Sequence, residues 1–126
     1  MNSMKRLRAV LSLNLLVVFV QVTLAGLMLG GTDLARKMHG ITGLLLIVLA
    51  VIQTALVIVM RRDGVAPRWL VGANVGILAA EMIEAICGHY HVLGLHVPLG
   101  VAIFGGVLRQ LFWAMAIRPQ EARSSI

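Results

Sequence analysis

Four apolar runs, each long enough to cross a lipid bilayer as a helix, leave this chain few folds to choose from. Residues 9–31 run 23 residues without a charge, residues 38–60 run 23 with His39 as the only ionisable group, and two further runs cover about 69–88 and 96–117. A bilayer core takes about 20 residues in helical form. Lipid offers the backbone no hydrogen-bond partners, so helices or closed barrels are the structures that span it. The chain is 60% hydrophobic and 13% charged, against about 45–50% and about 25% in soluble domains. The first run exceeds the ~7–15 apolar residues of a signal sequence and is expected to be a retained span. Short polar connections then predict an all-α, integral membrane, antiparallel four-helix bundle forming one domain over residues 1–126.

The formal charge of +6 does not point to nucleic acid, because the basic residues gather at the ends of the apolar runs. Lys5, Arg6 and Arg8 precede the first run, Arg61, Arg62 and Arg68 lie between the second and third, and Arg118 and Arg123 follow the fourth. The intervening connections carry only Arg36 and Lys37. Positive-inside counting predicts a multi-pass protein of a bacterial inner membrane with both termini cytoplasmic. Trp69 and Trp113 suit interfacial anchoring. Pro98 is expected in the first turn of the fourth helix, where its missing N–H costs little. The single Cys87 forms no intrachain disulfide and has no metal-ligand spacing around it.

The two halves of the chain repeat one another. His39 and His96 lie 57 residues apart, each with a glycine four residues on, Gly43 and Gly100, and a glutamine further along, Gln53 and Gln110. Gly31 and Gly88 fit the same offset, which predicts an internal two-helix repeat. The second and fourth helices run the same way and can stand diagonally in a four-helix bundle, bringing the histidines face to face at similar depth. Two imidazoles so placed suit the axial positions of a haem iron, and the glycines one turn deeper leave room for a flat macrocycle. The plainer alternative is a pair of interfacial histidines above helix-packing glycines. Arg36 and Lys37, beside His39, suit haem propionates or simple interface anchoring.

With this duplication and the approach Gln21-Val22-Thr23-Leu24-Ala25-Gly26, the chain resembles one four-helix half of the haem A synthase family. It is more loosely similar to b-type membrane cytochromes. The resemblance implies His39 and His96 as ligands of one haem b per chain. The family's catalytic half carries a glutamate three residues before the first histidine. Arg36 stands there in this chain, which points to a protein that holds haem rather than converts it.

Glu81 and Glu84 share a helix face inside the third run, at a cost of at least about 2.5 kcal/mol each on insertion scales. They are expected to serve as a proton or quinone site, or to pair with Arg109. His89, His91 and His96 form a spaced cluster able to bind zinc or copper if the loop bends, or remain plain loop histidines. Gly26/Gly30 and Gly72/Gly76 are small-residue spacings for close helix packing. The expected function is electron transfer by a small bis-histidine cytochrome. Its partners would be the lipid bilayer and the other membrane subunits of a redox complex, or further copies of itself. The alternatives are a cofactor-free accessory subunit of a respiratory or photosynthetic complex, or a half-length haem A synthase-like enzyme working as a dimer.

Overall fold

A computed structural model describes residues 2–117. These form four helices and no strand: α1 (Ser3–Leu29), α2 (Asp33–Arg62), α3 (Arg68–His89) and α4 (Leu93–Ala116). All four are long and apolar enough to cross a membrane. They contact one another in a ring, α1 to α2, α2 to α3, α3 to α4 and α4 back to α1, so α2 faces α4 across the centre. Arg118 and Arg123, used above for orientation, lie outside the described residues.

The helices outrun the apolar stretches that predict them. The Asn2 side chain accepts from the Lys5 amide at 2.9 Å and starts α1 six residues early among polar side chains. Residues 33–37, expected as a polar turn, are instead the first residues of α2. Likewise α4 begins at Leu93, not His96, so Pro98 is its sixth residue and leaves the Gly94 carbonyl without a helical donor. The true connections are short. Gly31 turns the first with φ 91°, and His91 turns the corresponding position of the second with φ 58°. The same three backbone bonds close both turns, Thr32 N–H to Leu27 O in one and Val92 N–H to Cys87 O in the other among them. The turns are thus 60 residues apart, which corrects the pairing of Gly31 with Gly88.

Inward positions recur every three or four residues: Leu7, Leu11, Asn14, Val18 and Gln21 on α1, and Leu46, Ala50, Gln53, Val57 and Met60 on α2. Leu70, Asn74, Ile77 and Glu81 continue the pattern on α3, and Ile103, Val107, Gln110 and Ala114 on α4. An alternation averaging 3.5 residues is the seam of left-handed helix packing. The main apolar cluster lies at the end where the basic residues gather, around Leu7, Met60, Leu70 and Val107. A smaller one joins Val17, Val18, Leu46 and Leu49. Arg8 closes the basic end by donating to the carbonyls of Ala114 (2.9 Å) and Ile117 (2.5 Å), acceptors that α4 cannot satisfy itself. The outer surface is a field of exposed Leu, Val, Ile, Phe and Met side chains, far larger than a water-soluble monomer presents.

The core also holds a layer of amides, one from each helix. Asn14, Gln53, Asn74 and Gln110 are each no more than 1% exposed. Asn14 Nδ2 donates to Gln53 Oε1 at 3.1 Å. Gln53 Nε2 donates to Asn74 Oδ1 at 2.5 Å and to Gln110 Oε1 at 3.3 Å, and Asn74 Nδ2 reaches Gln110 Oε1 at 2.9 Å. The layer ties all four helices at one level.

Candidate functional site

Beyond the amide layer, toward the Gly31 and His91 turns, α2 and α4 bring the paired histidines together. Both stand 14 residues from their glutamine, about 21 Å along a helix. Their rings lie across the bundle with centroids 6.2 Å apart and planes at 74°. Each ring is anchored to the helix before it. His39 Nδ1 is 3.2 Å from the Gln21 carbonyl oxygen, and His96 Nδ1 is 3.0 Å from that of Glu84. A carbonyl oxygen only accepts, so both Nδ1 atoms carry a proton, and in the neutral rings Nε2 holds the lone pair. This is how metal-binding histidines are usually oriented, by a carbonyl or carboxylate on the second nitrogen.

Gln21 and Glu84 complete the two half-sites. The Gln21 amide lies 3.5 Å from His39 Nε2 and its Oε1 accepts from the Thr42 hydroxyl. Glu84 Oε1 lies 3.1 Å from His96 Nδ1. Each side chain rests on the glycine one turn past its histidine. A Cβ on Gly43 would stand 3.2 Å from Gln21 Nε2, and one on Gly100 would stand 2.9 Å from Glu84 Oε1. The space expected over these glycines is therefore taken up by flexible side-chain ends. Gly88 has a different duty: a Cβ there would come within 3.0 Å of the His96 ring.

Glu81 lies next to this site on α3, 4% exposed, with neither carboxylate oxygen bonded to any described residue. Glu84 Oε2 is also buried without a partner. Arg109 does not pair with Glu81. Its guanidinium lies 5.3 Å above the Trp69 ring, on the outside of the bundle. Arg36 and Lys37 are exposed beside His39. Among the described residues no three His, Cys, Asp or Glu side chains converge as a metal site, so His89, His91 and His96 do not assemble. His89 packs edge-on against Tyr90 instead.

Two members escaped the sequence reading. Asn14 and Gln21 both sit in the first apolar run, seven residues apart and seven from Leu7, so their heptad spacing marked them as inward-facing. Comparison with protein families, curated proteins and solved structures finds no match for this chain.

The tight seat of His96 gives a testable contrast. Gly88→Ala should destabilise the protein by about 1–3 kcal/mol through overpacking against the imidazole. Gly72→Ala, with nothing within 4 Å of the new methyl, should be neutral or gain up to about 1 kcal/mol from helix propensity. Unfolding midpoints in mild detergent with increasing dodecyl sulfate check both, and equal effects would remove the special role of Gly88.

Proposed function

We propose that this chain is an antiparallel four-helix membrane bundle, built as two repeated helix pairs, that holds one haem b between His39 and His96 and passes electrons within a larger redox complex. The observation that carries this reading is the matched pair of histidines, each with Nδ1 bound to a carbonyl of the preceding helix, which among the described residues leaves His96 Nε2 without a partner and His39 Nε2 with only the Gln21 amide at 3.5 Å. The spacing of the rings supports an iron between them. With metal–nitrogen bonds of about 2 Å, two imidazoles on opposite sides of one metal have centroids about 6 Å apart, and the observed separation is 6.2 Å. Room for the macrocycle comes from Gln21 and Glu84, whose side-chain ends swing off Gly43 and Gly100. Arg36 and Lys37 are the cations nearest in sequence for the propionates, next to His39.

Haem held by His39 and His96 would supply one-electron exchange. The chain itself fixes the two imidazoles through the Gln21 and Glu84 carbonyls. Glu81 and Glu84 are the nearest groups able to carry a proton or contact a quinone. A cofactor-free accessory subunit is the second reading. The side chains lying over Gly43 and Gly100 favour it, because the histidines would then simply clasp adjoining helices.

The test is a reduced-minus-oxidised spectrum of protein purified from haem-replete cells, with a pyridine haemochrome assay on the same sample. One low-spin b-type haem per chain is expected. Protein free of haem and iron, recovered in a stable complex, would establish the accessory role instead.

A further inference from the structure

Arg109 is the one charged side chain on the outward face of α4, and the haem reading leaves it without a role. It lies seven residues from Ala116, about 10 Å along the helix from the basic end. An arginine facing lipid at that depth is expensive and normally turns inward or finds a counter-charge. This one is held in place: it stacks on Trp69, and Trp69 packs edge-on against Trp113 with centroids 5.4 Å apart.

Three glycines lie on the surface around this cluster. Gly105 is four residues from Arg109 on the same face of α4, and Gly72 and Gly76 continue the face of Trp69 on α3. A Cβ on any of the three would meet nothing within 4 Å. A cation stacked on Trp69 therefore stands among three glycines whose Cβ positions are open, Gly72 and Gly76 on α3 and Gly105 on α4, and these leave room for an acyl chain beside it. Lys5, Arg6, Arg61, Arg62 and Arg68 add positive charge at the same end.

We propose that this α3–α4 face binds one anionic phospholipid, with its phosphate on the Arg109 guanidinium and an acyl chain along Gly72, Gly76 and Gly105. The inference rests on the membrane reading above but not on haem. Charge chooses the occupant. Among the described residues a second copy of the chain offers no carboxylate at this depth: Asp33 starts α2 at the opposite end, Asp63 lies in the basic-end turn, and Glu81 and Glu84 line the interior. Glu121 lies outside the described residues. Lipid phosphate matches the cation and an acyl chain the open glycine positions, and basic pockets between membrane helices take such headgroups.

The experiment uses the full chain extracted from carbonate-washed membranes, titrated with phosphatidylglycerol or with phosphatidylcholine of the same acyl chains and read by native mass spectrometry. The first phosphatidylglycerol should bind at least about five-fold more tightly than phosphatidylcholine, the factor given by one basic residue near a lipid surface. Arg109→Gln should abolish that preference. Arg62→Gln, which loses the same charge from the end of α2, should retain it within about two-fold, well inside the five-fold factor of one basic residue at the site. Gly105→Leu, which leaves the cation in place, should weaken both lipids by filling the space over Gly105. Equal binding of the two lipids by the wild-type chain, or equal effects of Arg109→Gln and Arg62→Gln, would overturn the lipid site while leaving the membrane bundle standing. A chain missing from the washed membranes would overturn both.

Discussion

Replacing Gln53 with alanine should destabilise the protein by on the order of 3 kcal/mol, more than any other single amide change, although it removes no charge. Gln53 is the only member of the amide layer bonded to all three others. Without it Asn14 Nδ2 loses its acceptor and Asn74 Oδ1 loses its donor, both in an interior that water does not reach. A buried polar group left unpaired costs about 1–3 kcal/mol, whereas a hydrogen bond between membrane helices contributes on average only about 0.6 kcal/mol. The cost of the orphaned groups therefore dominates, and the cavity adds to it. Converting all four residues to leucine removes the orphans together with the bonds. That fourfold variant should be more stable than Gln53→Ala but should lose its single helix arrangement, since buried polar groups are best attested as setters of register. Dodecyl sulfate unfolding measures the stabilities, and distances between spin labels on α1 and α3 measure the arrangement. If the fourfold variant is the less stable of the two, the layer contributes net stability and register is not its main effect.

The helices and their inward faces were legible in the sequence because lipid permits few alternatives and the seam repeats every 3.5 residues. The partners of the histidines were not. A single offset of 57 residues carries His39 to His96 correctly but carries Gln21 to Leu78, on the wrong helix face. The structure pairs Gln21 with His39 and Glu84 with His96. Counted from the turns, the reason is plain. Gln21 and His39 are ten and eight residues from Gly31, while Glu84 and His96 are seven and five residues from His91. The second half-site sits three residues closer to its turn on both arms. Two arms of a helical hairpin shifted equally still face each other, but the shift has opposite signs along the sequence, so no one repeat offset describes it. Arg109 was misread for a related reason. Depth along the helix put it within reach of Glu81, but rotation about the axis puts it outside on Trp69.

The largest spectroscopic change should follow loss of either histidine. His39→Ala and His96→Ala each remove one of two axial nitrogens, so a six-coordinate low-spin haem becomes five-coordinate and high-spin, and the sharp reduced α band collapses. The two variants should differ in degree. His39 is held by the Gln21 carbonyl, with the Gln21 amide beside its free nitrogen, whereas His96 has the Glu84 carbonyl and carboxylate on Nδ1 and Gly88 against its ring. A hydrogen-bonded carboxylate raises the basicity of an imidazole ligand, so His96 should be the stronger donor. His96→Ala should consequently lose haem altogether during purification, while His39→Ala should retain part of it in high-spin form and recover the low-spin band on addition of imidazole. His89→Ala and His91→Ala should leave spectrum and stoichiometry unchanged, because neither belongs to a convergent set of ligands. Full low-spin haem in both His39→Ala and His96→Ala would overturn the assignment. A loss confined to His91→Ala would move the ligand into the turn, where His91 already takes a left-handed backbone that glycine adopts more cheaply.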